Sequence, residues 1–420
     1  MPAPGSTAGA CHSLRLIDVP TALEGRRLLA ELGCDQAGVT IMAPKMVHLA
    51  VSAENVQARA ATIIKQVLLS RGGECATPRR ALTADGTDLF TVVMMGTASQ
   101  LRSAARNLSM QPFGLKALSG EITALLEAVD GGRATGLEVL GHVLPLGERT
   151  LVMGVLNVTP DSFSESGTNY DPGDARSAAL RMIEAGADII DVGGESTRPG
   201  ADPVSLEEEL RRTVPLVEAL ASESVPVSID TYKSDVASRA LDAGACIIND
   251  ISGLRFDPAM AGLAARREVP VIIMHMQGEP GNMQENPVYD DVVADICRFL
   301  RERAACAEES GVPRHRILVD PGIGFGKTVE HNLQIMNRLS EFSSLPYRLV
   351  LGTSRKRFIG AVLDRPVDRR LMGTAATLAF AVAKGVDVVR VHDVEQMVEV
   401  VRMADAMAAG ECADPADRRP

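Results

Sequence analysis

Asp230, Asn249 and Asp320 stand at the ends of three short apolar runs, PVSID, CIIND and RILVD. Two carboxylates and an amide converging on one point pair naturally with a polar ring that offers ring N–H and amino donors. Each alone would serve equally as a helix N-cap, but three at run ends point to one shared ligand. A second group is cationic: GTSRKRF and RVHD bring Ser354, Arg355, Lys356, Arg390 and His392 to comparable positions. Such a cluster suits an anionic ligand, although a solvated basic face would also explain Arg355 and Arg357. His392, and His275 in MHMQG, read alone as structural histidines.

Three further segments carry chemistry. NVTPDSFSESG places Asn157, Asp161, Ser162 and Ser164 on an oxygen-rich loop that suits a hard cation arriving with phosphate oxygens, or else a simple Asx turn. DVGGESTRPGA offers paired glycines for close approach, with Thr197 and Arg198 as an anion contact or a lid. DPGIGFGKT looks like a phosphate loop but has Pro321 where that motif requires glycine, so it reads as a flexible loop carrying Phe325 over an aromatic ligand.

The elements that must position these residues are strands. Apolar runs fall at Leu151 to Leu156, Asp188 to Val192, Pro226 to Asp230, Cys246 to Asp250, Pro270 to His275, Arg316 to Asp320, Arg348 to Gly352 and Asp387 to Val391, each followed by a helical stretch. Runs this apolar require burial on both faces, and strand–helix repeated eight times predicts a closed (β/α)8 TIM barrel, whose chemistry lies at the strand C-termini. An internal echo supports the register. EAGADIIDV, DAGACIIND and AKGVDVVRV each run helix end, Gly, strand, which puts Asp191, Asn249 and Arg390 at one offset.

Ahead of the barrel, residues 14–130 read as a small N-terminal α+β domain. It has a helix from Thr21 to Leu32, a strand near Met46 to Val51, a helix from Ala53 to Ser70, a strand from Leu89 to Met95, and two more helices. DGGRATG forms the boundary, LEVLGHVLPLGERT a hairpin, and 137–410 the barrel domain, with 1–13 and 411–420 as disordered tails. The length of 420 residues agrees with two domains, since one barrel needs about 250.

Composition narrows the class. A formal charge of −11 argues against a nucleic-acid partner, so an anionic ligand must meet local positive charge. Seven cysteines without a CxxC pair indicate neither a disulfide framework nor a zinc site, and a reducing cytoplasm is expected. No run of about 18 apolar residues suggests a membrane span. Trp is absent and aromatics are 3%, leaving the core to Ala, Val, Leu, Ile and Met.

In order and spacing, NVTPDSFS, GGESTRPGA, SIDTYK, IINDISG, MHMQG, DPGIGFGK, TSRK and RVHDV resemble the dihydropteroate synthase family over residues 137 to 408. The resemblance implies a transferase of folate biosynthesis that condenses 6-hydroxymethyl-7,8-dihydropterin diphosphate with 4-aminobenzoate, uses Mg²⁺ and is a target of sulfonamides. It implies pterin contacts from Asp230, Asn249, Met274, Met276, Asp320, Lys356 and Arg390. Asn157, Thr197, Arg198, Arg390 and His392 would bind the diphosphate, with Asn157 on the metal and Asp161 and Ser162 in the first loop. Thr197, Pro199, Phe325 and Ser354 would frame 4-aminobenzoate, and Lys356, Asp320, Arg390 and His392 would form the catalytic set. A homodimer is also implied. The first loop runs SESGTNYD where many relatives have Asp-Gly-Gly, and Arg357 stands where a small residue is common.

Three other readings stand beside it. A methyltetrahydrofolate methyltransferase barrel would share the Asp, Asn, Asp edge but lack ESTRPG and SRK. A Schiff-base aldolase would use Lys356 as nucleophile, and a non-catalytic scaffold would have no reason to keep polar strand ends.

Overall fold

A computed structural model describes residues 14–130, 133, 135–139, 141–158, 172–196 and 203–410. Both expected tails lie outside these residues. The chain divides into two compact units between Asp130 and Gly131.

In the first unit, helices α1 (Ala22–Glu31) and α2 (Gln36–Met42) precede β1 (His48–Gln57), α3 (Ala58–Leu69), β2 (Glu74–Ala76), β3 (Leu89–Thr97), α4 (Ala98–Leu108) and α5 (Leu115–Val129). The strands form an antiparallel sheet in the order β1-β3-β2. Thr21 starts α1 through a capping box with Glu24, and Asp35 caps α2, which the sequence reading missed together with the short β2. The helix expected from Ala53 begins instead at Ala58. A bulge between Ala53 and Val56, with Asn55 at φ 57°, keeps both apolar residues on the buried face, so β1 continues where the alternation breaks.

The second unit opens with the hairpin β4 (Leu137–Val139) and β5 (His142–Leu144). Eight parallel strands follow: β6 (Leu151–Asn157), β7 (Ile189–Gly193), β8 (Val227–Asp230), β9 (Ile247–Asp250), β10 (Val271–Met274), β11 (Ile317–Asp320), β12 (Arg348–Leu351) and β13 (Val388–Val391). They close as a barrel, with β13 pairing β6. Around it run α6 (Pro172–Glu184), α7 (Leu206–Leu220), α8 (Ser234–Asp242), α9 (Met260–Arg267), α10 (Val292–Glu309), α11 (Val329–Asn337), α12 (Arg357–Leu363), α13 (Leu371–Ala383) and α14 (Val394–Ala409). Among the described residues no helix is long and apolar enough to cross a membrane.

Side-chain alternation divides the barrel into layers. Outward residues such as Val152, Ile190, Ile229, Ile248 and Val319 pack with the helices. Inside, Leu151, Met153, Ile189, Ile247, Ile272, Leu318, Val350 and Val388 fill the lower half, and Leu137, Val139 and Leu144 of the hairpin join that cluster. A packed floor confines polar chemistry to the other end. Gly186, Gly244 and Gly385, at φ 98°, 116° and 83°, make the left-handed exits from helix to strand that the echo predicts.

Arg133 extends the barrel unit ahead of residue 137. Its guanidinium donates to the Tyr347 carbonyl at 3.3 Å and to Asp387 at 3.1 Å, while Arg348 donates to Asp387 and to the Arg133 carbonyl.

Candidate active site

The strand register brings Asp230 and Asn249 side by side on β8 and β9, and Asp320 closes β11. All three are buried. Arg390 reaches across the mouth from β13: its Nη2 donates to Asp230 Oδ2 at 2.6 Å, and its Nε to Asp191 Oδ2 at 2.6 Å. Asn249 Nδ2 donates to the same Asp191 oxygen at 3.0 Å. Asp320 Oδ1 accepts the Gly322 N–H at 2.6 Å.

Burial drives the electrostatics. It pushes Asp320 up to about 6, partly offset by the Gly322 N–H and the charges of Lys356 and Arg390. It pushes Asp230 up to about 7; Arg390 opposes this, while Asp191 adds to it. Burial also works against the Arg390 cation, but Asp191 and Asp230 outweigh it, so Arg390 stays charged. Lys356 is brought down to about 8, first by burial and then by Arg390. Carboxylates and a lysine that burial and specific charge partners bring towards neutrality are a feature of functional clefts.

The expected cation cluster separates into distinct roles. Lys356 faces the carboxylates, with its Nζ 4.0 Å from the Phe325 ring centroid. Arg355 does not join it. With φ 56° its backbone turns the side chain outward to pair with Asp393, and Arg357 is exposed. His392 is no cation either: burial and the neighbouring Arg390 bring it down to about 4. Ser354 Oγ accepts the His392 backbone N–H at 3.1 Å and lies 3.0 Å from Nδ1. In the tautomer where Nδ1 accepts the Ser354 hydroxyl proton, the neutral ring carries its own proton on Nε2 and can donate there.

The loop after β11 is not the free flap that its glycines suggest. Gly322, at φ 68°, lies so close to β10 that a Cβ would fall 1.9 Å from the His275 carbonyl oxygen. Lys327 is 3% exposed, and burial holds its amine well below the usual lysine range. Its Nζ lies 2.9 Å from His275 Nδ1 and donates to the Phe325 carbonyl at 2.9 Å, tying the loop to the end of β10. Phe325 therefore packs with Met274, Met276, Met283 and Ile251 as part of the wall. Sequence reasoning missed Lys327 because the glycine-rich segment reads as a flexible loop, which gives no sign of a buried lysine.

Thr197, Arg198 and Pro199, and Asp161 and Ser162, fall outside the described residues. The flanks of the second loop are described. Lys233 Nζ donates to Glu195 at 2.6 Å on one flank, to the Val204 carbonyl at 2.7 Å on the other, and to Glu209 of α7 at 2.6 Å. Asn157, half-buried at the end of β6, offers an amide oxygen; a Cβ on Gly193 would come within 3.5 Å of it and of Asp230 Oδ2. These are oxygen donors, and among the described residues no three His, Cys, Asp or Glu side chains gather as a metal cage. Such a set fits a hard cation that brings phosphate oxygens with it.

Comparison with known proteins gives consistent results. A family model described as pterin binding enzyme matches residues 153–392. The dihydropteroate synthase of Bacillus subtilis is 51% identical over 262 residues, covering 62% of this chain and 89% of that one. A probable bifunctional folylpolyglutamate synthase/dihydropteroate synthase of Haloferax volcanii is 43% identical over 357 residues, covering 83% of this chain. The chain spans only 42% of that relative, and the shared stretch is too long for the barrel unit alone, so it includes part of residues 1–130. The solved structure of Xanthomonas albilineans dihydropteroate synthase with 4-aminobenzoic acid superimposes with a TM-score of 0.62 at 43% identity, covering 66% of this chain and 99% of that chain.

Proposed function

The chain belongs to the pterin-binding enzyme family, and from that premise we propose that it is a dihydropteroate synthase. It condenses 6-hydroxymethyl-7,8-dihydropterin diphosphate with 4-aminobenzoate to give 7,8-dihydropteroate and diphosphate. The observation that carries the reading is the buried edge of Asp230, Asn249 and Asp320, with Arg390 bonded across it and Lys356 among its charges.

The pterin's ring N–H and 2-amino donors meet the carboxylates, and Asn249 supplies one acceptor and one donor. Arg390 and Met274 line the ring. In the reaction the bond from the pterin methylene carbon to the diphosphate oxygen breaks, and both electrons leave with the diphosphate. The arylamine nitrogen then forms the C–N bond and loses a proton. An arylamine is a weak nucleophile, so charge at the departing group is the effective lever. Asp320 faces the positive charge left on the pterin, and Lys356 stands as a fixed cation between the two substrates. His392 donates Nε2–H to the diphosphate, with Arg198 and Thr197 completing that site. Phe325, Ser354 and Pro199 frame 4-aminobenzoate, for which sulfonamides compete.

Asn157 would hold Mg²⁺ together with the diphosphate, and the ion would supply Lewis-acid charge to the leaving group. A homodimer is supported by α13, whose sequence LMGTAATLAFAVA is apolar on nearly every side and leaves Met372 and Phe380 exposed. A cytoplasmic location is supported by the five described cysteines, all free thiols.

Incubating the purified protein with the pterin diphosphate, labelled 4-aminobenzoate and Mg²⁺ tests the reading. Label in dihydropteroate supports it. A folded protein that leaves the label in 4-aminobenzoate overturns it.

A further inference from the structure

Asp191 has no place among the residues that meet substrate, yet two of those residues hang from it. It lies inside the barrel on β7, level with Ser228 on β8, and is 0% exposed. Its Oδ2 accepts both Nε of Arg390 at 2.6 Å and Nδ2 of Asn249 at 3.0 Å. Its Oδ1 makes no hydrogen bond within the described residues, so all its bonding runs through the one oxygen shared by Asn249 and Arg390.

The chemistry of an amide makes that sharing consequential. The two ends of an Asn side chain have nearly the same shape, and without a constraint the group can rotate to present either oxygen or nitrogen to a ligand. A carboxylate only accepts. Bound to one, Asn249 must turn Nδ2 inward, which fixes where its Oδ1 and its second N–H point. The same oxygen holds Arg390 by Nε, leaving Nη2 to reach Asp230. One buried carboxylate thus orients Asn249 directly and Asp230 through Arg390.

We propose that Asp191 is a positioning residue that selects the pterin by fixing the amide orientation of Asn249 and the reach of Arg390. The proposal rests on the reading that Asn249 and Arg390 face the pterin. It predicts an effect confined to one substrate: an Asn at this position offers both a donor and an acceptor, so the Asn249 amide loses its unique orientation.

A double-mutant cycle with Asp191→Asn and Asn249→Ala tests this, read as the dissociation constant of 6-hydroxymethylpterin and the KM for 4-aminobenzoate. Asp191→Asn should weaken the pterin roughly ten- to a hundredfold and leave the KM for 4-aminobenzoate unchanged. Added to Asn249→Ala it should weaken the pterin further only by the share that runs through Arg390, so the combined loss falls well short of the product of the two single losses. Multiplicative losses in the cycle, or wild-type pterin affinity in Asp191→Asn, overturn the proposal. A second variant guards against a folding defect. Asp191→Asn with Asn249→Asp keeps the charge count and restores the buried hydrogen bond in reverse, so it should recover the wild-type melting temperature but not the pterin affinity. Recovery of both would show a merely structural role. If Asn249→Ala alone leaves pterin binding intact, the reading beneath the proposal fails as well, and the two failures are told apart.

Discussion

Lys356 holds its Nζ 4.0 Å above the ring centroid of Phe325, whose loop is pinned to the end of β10 by Lys327. The ammonium is thus fixed in position by an aromatic face rather than by a carboxylate in direct contact. A cation kept this way stays available to both substrates. Lys356→Ala should lower turnover by about two to three orders of magnitude. Lys356→Arg should recover little, since a planar fork does not replace a compact ammonium. Steady-state kinetics of the two variants check this, and wild-type turnover in the Ala variant removes Lys356 from the site.

The same lysine decides between a fixed charge and a covalent intermediate. Borohydride added during turnover should leave the mass of the protein unchanged. A pterin or aryl adduct on Lys356 in the mass spectrum would instead establish the Schiff-base chemistry of an aldolase.

The pH profile should be bell-shaped. Asp320 at about 6 and Asp230 at about 7 must be ionised to accept the pterin's donors, so kcat/KM falls on the acid side in that range. Lys356 at about 8 must keep its proton, so kcat/KM falls again above that value. The carboxylates share Arg390, so the acid limb reports the pair rather than either residue. Lys356→Arg should remove the alkaline limb from whatever activity survives, and an unchanged limb would assign it to another group.

Asp320 should cost stability for the sake of function. Its folded value of about 6 lies above the ordinary 3.8, so its stabilising contribution is complete below pH 3.8 and is lost as pH rises through 6. At pH 8 the buried charge costs about 3 kcal/mol. Asp320→Asn, which can still accept the Gly322 N–H, should melt above the wild type at pH 8, and the gap should close towards pH 4. Equal melting curves at pH 8 would contradict the burial argument.

Residues 1–130 should be dispensable for the chemistry. A chain starting at Gly131 keeps Arg133 on Asp387 and should turn over, whereas one starting at Gly136 loses that pair and should melt lower. An inactive but folded chain from Gly131 would bring the first unit into the active site.

Much of this was legible in the sequence because the barrel writes itself in apolar runs. The eight strands fall within one residue of their expected starts and ends, and Asp230, Asn249, Asp320, Lys356 and Arg390 all reach one mouth. What was hidden depends on contacts between distant segments. Asp191 shares the offset of Asn249 and Arg390, but only its bonds to both reveal its place. Lys327 hides in a loop whose glycines look permissive, yet they are required by close packing against His275 and Gln277. The bulge at Asn55 broke the period that would have extended β1.

The central claim is a group transfer with the diphosphate as leaving group, and counting both products in one reaction tests it most directly. With Mg²⁺, pterin diphosphate and 4-aminobenzoate, the account predicts one diphosphate released per dihydropteroate formed, and both lost in excess chelator. Undiminished turnover in chelator, or dihydropteroate formed without an equal yield of diphosphate, would contradict it.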